Sequence, residues 1–305
     1  FAADEINLLS STRNLNGNLN QEMTFQTDYQ TPIGERQLVE FGGKTILRDV
    51  DSDYSYFLAQ GSSGAYTIDP NRPAGALDYQ QNVGAGYLAY TLQTKNKYTF
   101  KLGGRYEYTD INAQTVENGN IDLPAYGNFV PSLNVSKNIK GGFIIKAGYN
   151  RRIQRPGLQQ LNPNFNNANP QNISVGNPGL SPELTDNFEV GVSGNIKKTY
   201  LNMSVFRRIT DNAISQIRKP FDTSGAVITT FENVGVQRAW GTNLFGNFQI
   251  TPKWTINGGI DIVYAFMEGR TTGLNGLSEI VTNEGVNING RLMTQVTLPK
   301  GWGIQ

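Results

Sequence analysis

An all-β fold, the wall of an antiparallel up-and-down barrel that crosses a lipid bilayer with strands, is the fold class this sequence predicts. Three observations predict it: side-chain character alternates with a period of two, tight turns alternate with long polar connections, and aromatic residues gather at both ends of the apolar faces.

The alternation is clearest in Lys97–Thr109, where the even positions are Tyr98, Phe100, Leu102, Gly104, Tyr106 and Tyr108. The odd positions are Lys97, Thr99, Lys101, Gly103, Arg105, Glu107 and Thr109. Successive side chains of a strand point to opposite faces, so one face is apolar and the other polar or glycine; a helix would mix the two sets. The same pattern sets Met23, Phe25 and Tyr29 against Glu22, Thr24, Gln26 and Asp28. It sets Phe143, Ile145, Ala147 and Tyr149 against Ile144, Lys146 and Asn150, and Phe188, Val190, Val192 and Ile196 against Glu189, Ser193, Asn195 and Lys197. Near the C-terminus Trp254, Ile260, Ile262 and Tyr264 oppose Asn257 and Asp261, and Val286, Ile288 and Leu292 oppose Asn287, Asn289 and Arg291.

Connections follow the second observation. Short turn sequences occur at 33–35, 94–96, 140–142, 197–198, 251–253 and 299–301. Between them lie longer stretches rich in Gly, Asn and Pro, at about 51–76, 110–127, 151–186, 211–226 and 268–284. Each interval between tight turns therefore holds two strands and one long loop, which puts all tight turns at one end of the sheet. Outer-membrane barrels have this asymmetry, with short periplasmic turns and long extracellular loops. The third observation agrees: Tyr98, Phe143 and Trp254 lie beside tight turns, while Tyr29, Tyr106, Tyr108, Tyr149, Tyr264 and Phe266 lie toward the loops. Such rings join an apolar body to a polar handle and suit the two membrane interfaces.

Composition narrows the function classes. Charged residues are 17 % of 305, against about a quarter in soluble domains, and the net charge is +1. No basic run marks a nucleic-acid partner. Histidine and cysteine are both absent, which excludes imidazole-based catalysis and zinc sites made from those residues. No apolar run approaches the roughly 18 residues of a spanning helix. No carboxylate pair stands out for glycoside cleavage, and the chain reads as a non-enzyme without a cofactor. Outer-membrane lipid is the expected surrounding, and the bacterial outer membrane the expected location.

Residues 1–305 are read as one partial barrel with about eleven or twelve strands. Unpaired strand edges in lipid cost several kcal/mol for each open amide, so the sequence leads one to expect a larger barrel of which this wall is a part.

Candidate chemistry is sparse. Asp49, Asp51 and Asp53 alternate as at the start of a calcium loop, but the sixth and twelfth positions are Tyr54 and Gln60 rather than Gly and Glu. A solvated strand end is the alternative. Gly84-Ala85-Gly86 lacks the helix of a dinucleotide site and reads as close packing or a bend in the wall. Lys97, Lys101, Arg105, Glu107, Lys146, Glu189, Asp261 and Arg291 are expected to line the lumen, where they hydrate it, pair with a plug or touch a passing substrate. The 151–186 stretch, stiffened by five prolines, offers either an external recognition surface or a loop folded back over the barrel mouth.

That stretch also carries a resemblance. Arg151-Arg152-Ile153-Gln154-Arg155-Pro156, Leu161-Asn162-Pro163, Gly176-Asn177-Pro178, Leu180-Ser181-Pro182-Glu183 and the strand opening at Glu189 together resemble a TonB-dependent outer-membrane receptor, in the barrel portion of its "outer membrane protein β-barrel" subgroup. Tyr126, Phe129-Val130-Pro131-Ser132-Leu133 and Glu232-Asn233-Val234-Gly235 before Gly241 fit the same likeness. The resemblance implies a plugged barrel of around 22 strands that imports a scarce nutrient with energy from an inner-membrane TonB complex. It further implies that the complex is reached through an N-terminal region, and that a surface lipoprotein is a partner. This sequence shows no TonB box and no recognisable plug, and neither loop composition nor lumen charge names the ligand. The alternatives are a structural, adhesive or secretion-assembly barrel and a soluble secreted β protein that binds polysaccharide.

Overall fold

The computed structural model describes residues 10–60, 65–69, 74–115, 119–121, 123, 125–163, 171–220, 225–272, 278–299 and 302–304. In chain order the strands are β1 (Ser10–Pro32), β2 (Gln37–Gln60), β3 (Thr67–Ile68), β4 (Gly75–Gln93), β5 (Tyr98–Thr115), β6 (Gly119–Ile121), β7 (Tyr126–Asn138) and β8 (Ile144–Gln154). One helical turn follows, α1 (Leu158–Leu161). Then come β9 (Asn172–Ser174), β10 (Glu183–Ile196), β11 (Thr199–Asp211), β12 (Ile214–Pro220), β13 (Val227–Asn233), β14 (Val236–Thr251), β15 (Trp254–Thr272), β16 (Ser278–Thr297) and β17 (Gly303–Ile304). Twelve of these form one antiparallel path, β1-β2-β4-β5-β7-β8-β10-β11-β14-β15-β16-β17, each paired with its neighbour. A separate three-stranded sheet has the order β12-β13-β9.

Five of the six tight turns sit where the sequence puts them, while 300 and 301 of the sixth lie outside the described residues. Four of the five close through left-handed residues: Gly34 at φ 73°, Lys97 at 63°, Gly141 and Gly142 at 84° and 80°, and Lys197 at 56°. Thr94 fastens its own turn, its hydroxyl accepting the Tyr98 N–H at 3.1 Å while Lys97 N–H donates to the Thr94 carbonyl.

Register sorts the side chains into two faces. Leu102, Tyr106 and Tyr108 are exposed on one face of β5, beside Leu88 of β4 and Phe129 and Leu133 of β7. The same face carries Val190, Met203, Val205, Ile260, Val286, Ile288 and Leu292, all exposed. Large apolar side chains covering an outer surface in this way are what lipid contact demands. Across a tilted strand the band from Tyr98 to Tyr108 rises roughly 25 Å, the height of a bilayer-facing apolar girdle. Leu102 lies in the middle of it. Leu102→Arg is therefore expected to cost about 2–4 kcal/mol of barrel stability in lipid vesicles. One residue away, Lys101 on the inner face pairs with Glu40 at 2.5 Å across β4, with side chains 43 % and 24 % exposed. Lys101→Met should cost under about 1 kcal/mol. Denaturant unfolding of the two variants in vesicles checks both values.

Strands continue well past the height at which the sequence reading ended them. β2 runs to Gln60 and β5 to Thr115, so much of 51–76 and 110–127 is strand rather than loop. Likewise 211–226 contains β12 and the join to β13, and 268–284 contains the ends of β15 and β16. The reason is a reversal of polarity. Above Tyr108 the outer face of β5 becomes Asp110, Asn112 and Gln114, while Ile111 and Ala113 turn inward and are buried. β4 does the same, with Asp78 and Gln80 outward and Leu77 and Tyr79 buried inward. Once the strand leaves lipid, its outer side meets water and its inner side meets protein. A reading tied to one apolar face sees the pattern dissolve there.

Gly84 and Gly86 correct another expectation. They lie within β4, and a Cβ built on either meets nothing within 4 Å, so no close packing requires them. Glycines covered by a neighbouring ring lie elsewhere, among them Gly127 on β7 beneath Tyr106 and Gly42 on β2 beneath Tyr87.

Candidate functional site: the barrel mouth

Two features shape the inner side of the wall: a scattered set of charges at membrane height and a folded segment across its upper end. Of the eight residues expected in the lumen, seven lie on the face of the sheet opposite the exposed apolar band. Arg105 Nε donates to Glu107 at 2.6 Å, and Lys101 holds Glu40. Lys146 and Glu189 line a polar hollow with Asn134, Asn187 and Asn202. Asp261 and Arg291 line a second hollow with Asn243, Asn257 and Asn289. These groups are spread around the wall and do not converge on one point. Lys97 is the exception: it occupies the left-handed position of the β4–β5 turn and is exposed at the tight-turn end, outside the lumen row.

Asp49, Asp51 and Asp53 all stand on the exposed outer face of β2, above the apolar band, and Asp51 is opposite Asp78 of β4. Same-face residues of a strand are roughly 6.7 Å apart, too far for three carboxylates to share one ion at 2.3–2.6 Å. Among the described residues no group of three or more carboxylates is placed to hold a metal. The three aspartates hydrate a strand.

Residues 155–163 and 171–182, called the mouth segment, fold against the inner wall and the β12–β13 hairpin, and their polar residues are the ties. Arg155 bonds Glu107 through its guanidinium and reaches Thr109 Oγ1 at 3.4 Å. The two side chains are 18 % and 7 % exposed, so this pair is largely withdrawn from water. Pro156 is buried beside it and α1 follows, dropping Leu161 into an apolar cluster. That cluster joins Leu161 and Leu180 of the segment to Val50, Leu77, Tyr79, Ile111 and Ala113 of the wall. It exists because the wall strands reversed polarity at this height. Burial pushes the Tyr79 phenol up to about 12, and its oxygen accepts a hydrogen bond from Gln81 Nε2 at 3.0 Å.

Asparagines make the remaining ties. Asn162 Nδ2 donates to Ser52 Oγ at 3.0 Å, and its carbonyl accepts the Gly176 N–H at 2.9 Å. Asn177 Nδ2 donates to the Phe231 carbonyl and its Oδ1 accepts the Gly179 N–H, both at 2.9 Å. Asn233 accepts the Ser181 N–H at 2.9 Å and donates to the carbonyls of Ser181 and Asn212. Glu183 accepts the Ile214 N–H at 2.6 Å. Pro163, Pro178 and Pro182 lie in the same folded segment, Pro182 buried. Arg152 is exposed on β8 and has no salt bridge among the described residues.

Each motif residue with a partner therefore bonds another part of the same chain. The sequence reading missed the apolar members of this arrangement, Leu161, Leu180 and the inward Leu77 and Ile111. The signal for them was present in the switch of apolar residues from even to odd positions along β5. On the outer face of the wall, Arg151 of β8 forms a bidentate pair with Asp186 at 2.9 and 2.7 Å, and Tyr149 donates to the same carboxylate at 2.8 Å.

A family model described as the outer membrane protein beta-barrel family matches residues 3–305. The chain belongs to that family. It is an outer-membrane β-barrel protein, and the apolar outer face and one-sided tight turns are the corresponding features of its structure. A probable TonB-dependent siderophore receptor, PiuA of Acinetobacter baumannii, is 29 % identical over 106 residues, covering 34 % of this chain and 12 % of that protein. Among solved structures the copper transporter OprC aligns with a TM-score of 0.57 at 14 % identity, covering 94 % of this chain and 43 % of OprC. The ferric yersiniabactin uptake receptor FyuA of Yersinia pestis gives 0.54 at 10 % identity, covering 93 % and 48 %. The siderophore receptor PiuA of A. baumannii gives 0.53 at 13 % identity, covering 93 % and 50 %. The chain thus spans half or less of the length of these proteins, and at such identities the likeness is one of fold.

Proposed function

We propose that this chain forms part of the wall and the outer mouth of a TonB-dependent receptor that imports a nutrient across the outer membrane. The observation that carries the reading is the inward fold of residues 155–163 and 171–182, which Arg155 and Asn162 pin to the inner side of a receptor-like wall and Asn177 and Asn233 tie to the β12–β13 hairpin. An open diffusion pore needs a clear mouth, whereas a gated importer needs a built one. The twelve-strand path would supply somewhat more than half of a barrel of roughly 22 strands. In this reading the inner charges face a plug, a TonB complex engages through a more N-terminal region, and a surface lipoprotein is a companion. The family relationship and the receptor-like fold support the reading.

The test uses the full-length protein in its own bacterium. Deleting its gene and deleting TonB should abolish uptake of the same nutrient, measured as cellular accumulation from a defined medium. Reconstituted in a planar bilayer, the protein should show no steady conductance. A persistent open channel, with uptake indifferent to TonB, would replace the importer with a pore.

A further inference from the structure

Beside the tied segment lies a cleft of about 480 Å³ at the mouth, lined among the described residues by the inner face of β1, by α1, by β9 and by the β12–β13 hairpin. Its polar side chains are five amides and one hydroxyl: Asn16 and Asn18 of β1, Gln159 and Asn162 of the segment, Gln216 of β12 and Ser174 of β9, with Phe231 as the aromatic member. No Asp, Glu, Lys or Arg contributes to it among the described residues. Asn162 is held by Ser52, and Asn16 accepts a long bond from the same hydroxyl. Asn18, Gln159 and Gln216 engage no partner among the described residues, so their amides are available.

We propose that this cleft binds an uncharged oligosaccharide, the cargo class of the importer; the inference rests on the import reading for its consequence but not for its binding chemistry. The volume suits a ligand of a few sugar units. Each carboxamide carries two donors and an acceptor with two lone pairs. A sugar hydroxyl donates and accepts at one atom, and neighbouring hydroxyls match the two ends of one amide. Phe231, packed from behind by the apolar cluster, offers a ring to the C–H face of a pyranose. An anionic ligand would bring its charge to a lining with no cation among the described residues to receive it. A peptide would pair chiefly with backbone, yet the Val175 and Gly176 N–H groups are already spent on the carbonyls of Thr229 and Asn162. Side-chain amides and the Ser174 hydroxyl are what the described lining has left to give. A site built to bond hydroxyls also leaves its amides unpaired against a ligand lacking them, and so discriminates.

The experiment takes the full-length receptor in detergent to an array of neutral hexose and pentose oligomers of about three to seven units, uronate-containing oligomers and short peptides, followed by calorimetric titration of the strongest binder. Neutral oligomers are expected to bind. Asn18→Ala with Gln216→Ala should weaken them by tenfold or more, while Gln80→Ala on the outer face should leave them unchanged. A heat-modifiability shift on gels shows that the double variant retains its barrel, and the milder Gln159→Ala should weaken binding several-fold. Preference for uronates or peptides, or neutral-sugar affinity unmoved by the double variant, overturns the proposal, as does an array with no neutral binder. If sugars bind through the cleft but enter cells without TonB, the cleft stands and the import reading falls. If no sugar binds while another nutrient still needs both this gene and TonB, the import reading stands and the cleft falls.

Discussion

Arg155→Ala is expected to release the mouth segment that starts at Arg155 from the inner wall while leaving the wall intact. The substitution strands Glu107, whose side chain is 7 % exposed, with Arg105 Nε as its remaining partner at 2.6 Å. Removing one member of a buried ion pair typically costs about 3–5 kcal/mol, because the other charge stays desolvated. Here the surviving Arg105 bond holds the cost to roughly 3 kcal/mol. That free energy falls on the docking of the segment, since the twelve-strand ladder does not include Arg155. Leu161 and Leu180 lose their hold on the apolar cluster as the segment lifts. Limited proteolysis of intact outer membranes should show new cleavage between 155 and 182, at an unchanged heat-modifiability midpoint for the barrel. Adding Glu107→Gln to Arg155→Leu should restore much of the protection, because removing both charges spares the stranded one. Equal protection in Arg155→Ala and the parent would mean that the apolar cluster alone holds the segment.

How far the sequence alone reached follows from where its periodicity has a single cause. At membrane height one side of each strand meets lipid, so Phe100, Leu102 and Tyr106 declare themselves and Lys101, Arg105 and Glu107 take the other side. The inward direction of seven lumen residues was legible for that reason. Lys97 was not, because a period-two pattern extrapolated one step too far runs into a turn that needs a left-handed residue. Above the membrane the same strand faces water outside and protein inside, and the pattern reverses at Tyr108 without ending. That is why β2 and β5 looked shorter than they are. The mouth itself was only half legible. Arg155, Asn162, Asn177 and Glu183 could be picked out as an ordered set of turn-forming steps, but nothing local says that Arg155 meets Glu107 or that Asn162 meets Ser52, 110 positions away. The amides of the cleft come from β1, α1 and β12, and only the fold brings them together.

Gly235→Ala is expected to dislocate the link between the β12–β13 hairpin and the wall. Gly235 has φ +123°, a conformation that side chains rarely adopt and that costs on the order of 1–3 kcal/mol when forced. Space is a second obstacle: a Cβ there would lie 2.3 Å from the Glu268 carbonyl oxygen, a backbone atom of β15 that cannot swing away. The approach is mutual, since a Cβ on Gly269 would meet the Val234 carbonyl at 2.0 Å. The link crosses β15 this closely because Val234 N–H donates to Ala213 and Ala213 N–H to Gly235, which closes the base of the hairpin. Any relief must pull Val234 off β15 or open that base. Either movement disturbs Asn233, the residue that ties Ser181 and Asn212, so a substitution on one strand junction should loosen a segment some fifty residues away. Hydrogen exchange on the purified barrel should show loss of protection at Ser181 and Ile214 together, with Gly84→Ala, whose Cβ meets open space, leaving both unchanged. Exchange that rises at Ile214 but not at Ser181 would show that the segment is held by Arg155 and the cluster without help from Asn233.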